Sequence, residues 1–403
     1  MTRPVEFANG ALADLRVLEL GSLLAGPFCG QILGDMGADV IKIEPPNQGD
    51  PLRVWGRHGE EKSSLWWPLV SRNKKCVTLD LRQPEGQEIL KELAAKADFL
   101  LENFRPGTME KWGLGYDTLS AINRRLIMIR VSGYGQDGPY AHRAGFGAVG
   151  EAMGGLRYVV GDPTTPPSRM GISIGDSLAA TFACVGALSA LHYREKTGRG
   201  QVVDSAIYEA VLNMMESLIT EYDKTGFIRE RTGAILPNIA PSNVYPTQDS
   251  LVLIAANQDT VFRRLCDAMG RAELASDPAY ANHRARGLHQ KELDDLIGQW
   301  TSRRPTREVL ALMDSHGVPA GLIYRAPEML SDPHFAARAA IVTVKHPEYG
   351  DLKMQNVAPK LSETPGGIRS VAPGLGQHND EVYLGYMQMG PARYAELKSK
   401  GVI

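Results

Sequence analysis

Short runs of apolar and β-branched residues alternate with helical patterns along the first third of the chain, and one further strand-like run follows at 201–207. The runs typical of strands are LRVLEL (15–20), DVIKIE (39–44), VTLDL (77–81), FLLEN (99–103), LIMIRVSGYG (126–135) and QVVDSAI (201–207). Helical patterns occupy residues 27–36, 84–97 and 115–124. This alternation predicts an α/β fold with a mainly parallel sheet and helices on both faces. Ligands are expected beyond the carboxyl ends of its strands.

Residues 171–188, GISIGDSLAATFACVGAL, form a long run whose one charged residue is Asp176. Its larger apolar side chains recur at helical spacing, at Leu178, Phe182, Val185 and Leu188. Small residues fill the other faces, so the pattern predicts a buried helix. Asp176 at its start has two interpretations. It is a good N-cap residue, and a carboxylate held at a helix N-terminus is also suited to act as a nucleophile.

The character of the sequence changes near residue 225. Residues 235–250 are rich in turn formers, and charged helical patterns dominate residues 258–315. A chain of 403 residues also exceeds the size at which one hydrophobic core usually stops growing. We therefore expect a large domain at 1–224, a smaller domain at 225–325, and a C-terminal segment, 326–403, that returns to the large domain.

Charge and cysteine content narrow the class of protein. The chain has 44 basic and 46 acidic residues and a net charge of -2, with no long run of either sign. This argues against a nucleic-acid surface or a polybasic membrane anchor. The cysteines are widely spaced, at Cys29, Cys76, Cys184 and Cys266, and lack the patterns of a zinc site. We expect reduced thiols and no metal.

The N-terminus lacks the apolar core of a signal peptide. We also identify no uninterrupted apolar stretch of about 18 residues, the length that spans a bilayer. The sequence therefore predicts a soluble protein of the cytoplasm, or of the mitochondrial matrix in a eukaryote.

Two segments near predicted strand ends carry basic and amide side chains, SRNKK (71–75) and ENFRPGTMEK (102–111). Their candidate ligand-binding residues are Arg72, Lys74, Lys75, Asn103, Arg105 and Lys111. Basic groups at the carboxyl edge of a sheet suit a phosphate-bearing ligand, although solvated loops have the same composition. The glycine-rich stretch 21–30 matches neither the dinucleotide-binding motif nor the P-loop, so it does not by itself indicate a nucleotide.

Several stretches in collinear order resemble the family III CoA-transferases, also called the CaiB/BaiF family. They are LRVLELGSLLAGPFCGQILGDMGADVIKIEPPNQGD (15–50), SRNKKCVTLDL (71–81), ADFLLENFRPGTMEKWGLGYDTL (97–119), SGYGQDGPYAHRAGF (132–146), IGDSLAATFACVGALSAL (174–191), KTGRGQVVDSA (196–206) and LGQHNDEVYLGY (375–386). Each motif is weak alone, but their shared order along nearly the whole chain is specific.

The resemblance implies a Rossmann-like large domain built from both ends of the chain, a smaller α+β domain between them, and an interlocked homodimer. It also implies that Asp176, in the GDS motif, is a covalent nucleophile. The carboxylate would attack an acyl-CoA, form a mixed anhydride, and then carry CoA as an aspartyl thioester until a second acid accepts it. Coenzyme A is then a co-substrate, the other ligands are small carboxylic acids, and no metal is required.

By the same resemblance, CoA contacts are expected at Leu23, Leu24, Ala25, Arg72, Asn73, Lys74, Lys75, Asn103, Phe104, Arg105 and Lys111, with Arg143 near the diphosphate. Leu24 and Pro45 stand where formyl-CoA transferases have Gln and Arg. The glycine-rich shielding loop of those enzymes has no clear match, and Asn257 and Gln258 lie in the most similar stretch. These departures argue against formate and oxalate as substrates.

Arg53, Arg57 and Arg169 are candidates for the acyl pocket, where an arginine would suit a dicarboxylate such as succinate, glutarate, malate or a methylated relative. Each is alternatively an ordinary surface arginine. A succinyl-CoA-like donor is therefore expected.

Two rival functions remain. The related α-methylacyl-CoA racemases have a proton-transferring His where this chain has Phe146, whose ring cannot move a proton. A non-catalytic acyl-CoA-binding protein would keep the basic loops without needing Asp176.

Overall fold

The computed structural model describes residues 10–56 and 63–403, which divide into two compact units. The first unit runs to Leu156 and continues through Met170–Gly226 and Ala336–Ile403. The second consists of Arg157–Arg169 and Phe227–Phe335. The sequence pattern placed residues 157–169 in the large domain and began the returning segment at 326 rather than 336.

Hydrogen bonds explain why residues 157–169 belong to the second unit. The Tyr158 hydroxyl donates to the Glu230 carboxylate at 2.7 Å. The Gly233 amide donates to the Gly161 carbonyl at 3.0 Å. The segment lacks the apolar pattern of a strand or long helix, so the sequence alone gives no sign of these partners.

A six-stranded sheet forms the centre of the first unit. Its strands are β1 (Arg16–Glu19), β2 (Asp39–Glu44), β3 (Lys74–Thr78), β4 (Phe99–Glu102), β5 (Ile127–Ser132) and β6 (Val202–Ala206). Their spatial order is β3-β2-β1-β4-β5-β6, and all neighbouring strands are parallel. The order reverses between β1 and β4, which opens a crevice at the carboxyl edge. The predicted parallel α/β sheet is confirmed.

Helices cover both faces of this sheet, as the alternating pattern predicts. The helices of the first unit are α1 (Ala25–Asp35), α2 (Trp67–Val70), α3 (Pro84–Ala94), α4 (Thr108–Lys111), α5 (Tyr116–Ile122), α6 (Gly147–Met153), α8 (Ile174–Thr197), α9 (Ile207–Asn213) and α10 (Leu218–Thr225), while α7 (Leu156–Val159) belongs mostly to the second unit. A 3₁₀ turn spans Pro51–Val54. In α3, Pro84 occupies the first turn and Ile89, Leu90 and Leu93 enter the core, which is the amphipathic pattern of a surface helix.

The long helix α8 packs closely on its neighbours through small residues. A Cβ on Gly186 would lie 2.5 Å from Val203 Cγ1 of β6. On α1, Cys29 Sγ lies 3.3 Å from Cys184 Sγ. The other face of α8 is not buried, because Phe182, Val185 and Leu188 are 38%, 57% and 45% exposed. The predicted burial on all sides is therefore wrong.

By length and composition α8 is also apolar enough to span a membrane, contrary to the expectation that no such stretch exists. Of its most apolar window, 39% is buried inside the protein. Core helices of soluble proteins pass the same test, so composition alone does not distinguish the two situations.

The second unit contains a three-stranded antiparallel sheet and a cluster of helices. Its elements are β7 (Ser242–Pro246), β8 (Leu251–Ala255), α11 (Asp259–Ala268), α12 (His283–Leu288), α13 (Gln290–Thr301), α14 (Thr306–Ser315), β9 (Ala320–Leu322) and α15 (Ala326–Ser331). A 3₁₀ turn spans Ala272–Ser276, and α16 (Pro333–Ala337) crosses the boundary between the units. Tyr245, Phe262 and Leu293 are part of a separate apolar core.

The C-terminal part of the first unit contains the hairpin β10 (Ile341–His346) and β11 (Gly350–Gln355), a π-helix at Asp380–Tyr386, and α17 (Pro391–Ser399). It attaches to β3 through hydrogen bonds to Thr78. The Thr78 amide donates to Asn379 Oδ1 at 2.9 Å, and the Tyr383 hydroxyl donates to the Thr78 carbonyl at 2.7 Å. Both ends of the chain therefore build this unit.

Candidate active site

The start of α8 determines where Asp176 lies. The helix begins at Ile174 with Ser173 as its N-cap residue, and the Ser173 side chain makes no capping hydrogen bond. Asp176 is therefore the third helical residue, half-buried in the first turn. The interpretation of Asp176 as the N-cap is wrong, because the helix starts two residues before it. An ionised carboxylate in this turn is favoured by the helix dipole by typically ~0.3–1 kcal/mol.

The Asp176 carboxylate lies directly against the backbone of Gly147, the first residue of α6. A Cβ on Gly147 would be 2.3 Å from Asp176 Oδ2 and 2.9 Å from Oδ1. Real Cβ atoms essentially never approach another heavy atom so closely. Glycine at position 147 is therefore required for the carboxylate to occupy this place.

The helix α6 is held in position by close contact with α9. A Cβ on Gly150 would lie 2.4 Å from Ile207 Cγ2, and one on Gly154 would lie 2.6 Å from Val211 Cγ1. The two backbones thus approach as closely as glycine permits. The surface against which Asp176 rests is consequently rigidly supported.

A second carboxylate, Glu151, lies beside the start of α8. It is 1% exposed, and its Oε1 accepts a hydrogen bond from the Gly175 amide at 3.4 Å. Sequence reasoning missed this residue. Its only signal is a single acidic residue among the small residues of GAVGEAMGG (147–155).

The topology places Asp176, together with its neighbours Gly147 and Glu151, at the carboxyl edge of the sheet. The helix α8 connects β5 to the parallel strand β6, so it runs antiparallel to both strands. Its first turn therefore lies at the end where β5 finishes, which is the ligand-binding edge of open α/β sheets. A carboxylate held there is suited to attack the carbonyl carbon of a bound thioester.

The loop after β1 also lies at this edge and carries the predicted CoA contacts Leu23, Leu24 and Ala25. Leu23 has a left-handed backbone, with φ at 63°, and its amide donates to Asp50 Oδ1 at 3.0 Å. Asn103 accepts from the Ser22 amide and donates to the Ser22 carbonyl, both at 2.9 Å. These bonds fix the backbone of the loop before any ligand arrives.

Buried charges lie beneath this loop. Lys42 Nζ is 2.8 Å from Asp50 Oδ2 and 3.1 Å from Glu19 Oε1, and it donates to the Gly21 carbonyl at 2.8 Å. Burial acts to lower the pKa of Lys42, but the attraction of the Glu19, Asp50 and Glu44 carboxylates exceeds it, so the pKa is raised overall. The ammonium group therefore stays charged and holds the loop to the strand ends.

A cavity of about 310 Å³ opens at the ends of β1, β2 and β3. Its wall includes Gly21, Pro45, Asp50, Arg82, Phe104 and Trp112. The rings of Phe104 and Trp112 meet edge to face at 5.3 Å between centroids. Of these, Arg82 and Trp112 were missed, because an exposed Arg and a single Trp in a loop carry no motif of their own.

The segment 71–75 was expected at this edge, but it leads into β3 and supplies its first two residues, so it lies at the opposite, amino edge of the sheet. Arg72 pairs with Asp35 at 2.5 Å, and Lys74 pairs with Glu19 at 2.7 Å. Asn73 Nδ2 donates to Asp35 Oδ1 at 2.8 Å.

The side chains of Arg72, Asn73 and Lys74 are buried, and Lys75 is paired with Asp39 and Glu381, each at 3.0 Å. We therefore revise the predicted role of these four residues from CoA contact to support of the sheet.

In the segment after β4, residues 103–111, the predicted basic residues are accessible to solvent. Arg105 and Lys111 are exposed at the carboxyl edge, and Phe104 is half-buried in the cavity wall. Arg143 is also exposed and stacks on the Tyr140 ring at 3.8 Å. These basic groups are accessible to a phosphate-bearing ligand.

Comparison with known proteins identifies the family. The family model described as CoA-transferase family III matches residues 12–379. The chain belongs to CoA-transferase family III.

The succinyl-CoA–D-citramalate CoA-transferase of Chloroflexus aurantiacus is 60% identical over 393 residues, covering 97% of this chain and 98% of that protein. The β subunit of the succinyl-CoA–L-malate CoA-transferase of the same organism is 42% identical over 396 residues, covering 97% and 98%. The crystal structure of a CaiB/BaiF family protein from Brucella suis has a TM-score of 0.82 and 33% identity, covering 93% of this chain and 98% of that one. The predicted family and enzyme class, a CoA-transferase, are confirmed.

Two of the three arginines predicted for the acyl pocket of this CoA-transferase lie in the described part of the chain. Arg53 binds the Glu44 carboxylate at 2.8 and 2.7 Å and stacks on Trp67 at 3.8 Å. The Arg53 guanidinium is therefore occupied by contacts with other residues of the protein, and its predicted role in binding the acid is withdrawn. Arg169 is exposed in the second unit. The third arginine, Arg57, lies outside the described residues.

The predicted shielding residues of the CoA-transferase lie in the second unit. Gln258 is the exposed N-cap residue of α11, and the Asn257 carbonyl accepts from Arg286 at 2.7 Å. Within residues 10–56 and 63–403, no group of three or more His, Cys, Asp or Glu side chains suited to a metal ion is found. Phe146, at the position of the racemase histidine, is the N-cap residue of α6 and is 69% exposed.

Proposed function

We propose that this CoA-transferase moves CoA from succinyl-CoA to a hydroxylated dicarboxylic acid, through a thioester on Asp176. The observation that carries the proposal is the Asp176 carboxylate in the first turn of α8, resting on Gly147. The relatives that act with succinyl-CoA on D-citramalate and L-malate support the choice of donor and acceptor.

The proposed reaction conserves the thioester bond through four displacements. An Asp176 oxygen attacks the succinyl carbonyl, which forms an anhydride and expels CoA as its thiolate. The thiolate attacks Asp176 Cγ, which forms the aspartyl thioester and releases succinate. The acceptor carboxylate then attacks Cγ and expels the thiolate, and the thiolate attacks the acceptor carbonyl to restore Asp176. Holding the groups together supplies effective molarities of about 10⁵ M or more.

The nucleotide end of CoA would occupy the cavity at the ends of β1, β2 and β3. The Phe104 and Trp112 side chains offer apolar surface for the adenine, and Arg105, Lys111 and Arg143 offer charges for the phosphates. The preformed loop 23–25 would lie along the pantetheine arm, which must pass from the cavity toward Asp176.

The acceptor is proposed to be D-citramalate or a close relative such as L-malate, because the 60% identical protein is named for D-citramalate. Arg169 remains a proposed partner for the second carboxylate. Initial rates with succinyl-CoA and a panel of mono- and dicarboxylic acids test this. Higher kcat/KM for an unsubstituted monocarboxylic acid than for the hydroxydicarboxylates would contradict it.

We also propose that the protein is an interlocked homodimer in the cytoplasm, as the family resemblance implies. The exposed side chains Phe182, Val185 and Leu188 on α8 are a surface that a second copy would cover. Sedimentation should show a dimer of about twice 43.9 kDa. A protein that stays monomeric at micromolar concentration would contradict this assembly.

Replacement of the nucleophile tests the mechanism directly. The Asp176→Ala variant should lose at least ~10³-fold in kcat, because no other group can carry the thioester. Mass spectrometry of wild-type protein mixed with succinyl-CoA should show the mass of CoA, less water, on the peptide containing Asp176.

Asp117, an exposed acidic residue in the first turn of α5, supplies the control. The Asp117→Ala variant should keep full activity and form the adduct. Turnover by Asp176→Ala at the wild-type rate, without an adduct on either protein, would refute the covalent route.

A further inference from the structure

We propose that Glu151 is a positioning residue, which fixes the start of α8 and so holds the Asp176 carboxylate in place for reaction. The inference rests on the proposed function, since it gives Glu151 a part in forming the Asp176 thioester. It assigns no contact between Glu151 and substrate.

The first turn of α8 is capped by a residue of another helix. The first amides of any helix have no partner within it and require an acceptor from elsewhere. The Ser173 side chain makes no capping hydrogen bond. The Gly175 amide instead donates to Glu151 Oε1, at 3.4 Å. The capping acceptor thus comes from α6, 24 residues earlier in the chain.

Glu151 is also held firmly in place. The residue is 1% exposed, and its helix is pressed against α9 at Gly150 and Gly154. A Cβ on Gly175 would be 3.1 Å from Glu151 Cγ, so the two backbones are as close as this side chain allows. The acceptor oxygen therefore stays beside the amide.

Asp176 follows Gly175 directly, so a shift of the Gly175 amide moves the Asp176 backbone with it. Because Glu151 accepts from the Gly175 amide, the first turn of α8 is held where the Asp176 carboxylate lies against Gly147. If the acceptor were withdrawn, the first turn would lose this anchor and the carboxylate would move with it. Displacement of a reacting atom by about 1 Å can cost up to ~100-fold in rate.

Two substitutions separate the length of the side chain from its carboxyl group. Glu151→Gln keeps an acceptor oxygen at the same distance and replaces the carboxyl group by an amide, whereas Glu151→Asp keeps the carboxyl group and shortens the side chain by one methylene. The matched control is Glu88→Asp, because Glu88 is an exposed residue of α3, 63% exposed at its side chain. The measurement is the rate of CoA adduct formation on Asp176 after rapid mixing with succinyl-CoA, together with kcat and KM.

We expect Glu151→Asp to slow adduct formation and kcat by about 30-fold, with the KM for succinyl-CoA within about twofold of wild type. Glu151→Gln should stay within about threefold of the wild-type rate, and Glu88→Asp should be unchanged. A residue that only stabilised the fold would not separate these two Glu151 variants, nor spare KM.

Three results would overturn the inference. Glu151→Asp could form the adduct as fast as wild type, or Glu151→Gln could be as slow as Glu151→Asp. If Glu151→Asp does not fold, as judged by its melting temperature, the Glu151→Gln variant decides. Adduct formation more than tenfold slower in folded Glu151→Gln would then overturn the inference. Failure of the wild-type protein to form the adduct would instead refute the proposed function, and this inference with it.

Discussion

Residues 71–75 and residues 103–111 both contain lysine and arginine, but these side chains are paired inside the protein in the first segment and exposed in the second. The first segment enters β3 at the amino edge of the sheet, where Arg72 and Lys74 are buried against Asp35 and Glu19. The second leaves β4 at the carboxyl edge, where Arg105 is exposed. A basic motif therefore indicates a ligand only when the direction of its strand and the positions of its counter-ions are known.

The strongest test of this contrast is Arg72→Met. Removing one partner of a buried ion pair typically costs 3–5 kcal/mol, and Asp35 retains its bond to Asn73, so we expect a loss of about 3 kcal/mol in the free energy of unfolding. Urea denaturation measures this loss. The KM for succinyl-CoA should stay within twofold, and a large rise in KM with unchanged stability would return Arg72 to the CoA site.

The same substitution in the other segment should behave in the opposite way. Arg105→Met should raise the KM for succinyl-CoA by about tenfold, because one charged hydrogen bond to phosphate is lost. The free energy of unfolding should change by less than about 0.5 kcal/mol, as is usual for an exposed side chain. An unchanged KM would show that the phosphates lie elsewhere.

A pH-dependent effect is expected at Glu102, which lies beneath the segment 103–111 and accepts from the Phe104 amide at 2.7 Å. Burial raises its pKa to about 7, although Arg130 acts to lower it. The folded state therefore binds this proton more tightly than the unfolded state, and its contribution to stability is lost as pH rises from about 4.5 to about 7.

Glu102→Gln should remove that pH dependence. Measured as the difference in unfolding free energy from wild type, the variant should gain roughly 2–3 kcal/mol between pH 5 and pH 8. Glu88→Gln, at an exposed position, serves as the comparison and should show no such gain. If the free energy of unfolding depends on pH in the same way in wild type and in Glu102→Gln, the pKa of Glu102 is not raised.

Much of the fold follows from the sequence pattern, and the errors have local causes. The pattern predicted strands at 39–44 and 99–103, and the structure has β2 at Asp39–Glu44 and β4 at Phe99–Glu102. The pattern predicted the strand between these two at 77–81, whereas β3 begins at Lys74. A lysine is rarely expected inside a strand, and Lys74 is buried there because its ammonium group is paired with the distant Glu19 carboxylate and bonded to the Pro27 carbonyl.

The candidate site was predictable only in part. Asp176 is visible in the sequence because it interrupts a long apolar run and matches a family motif. Glu151 is not, because α6 has seven residues, two of them glycines, and shows no strong periodicity. Its partner Gly175 is reached only when α6 and α8 pack together.

The glycines of α6 set limits on how this enzyme can change. A side chain at Gly147 would collide with the nucleophile, and one at Gly150 or Gly154 would collide with α9, so these three positions tolerate no side chain without movement of a neighbour. Variation in the acids accepted must then arise at other positions. A directed-evolution library for new acceptors would do best to leave these three glycines unchanged.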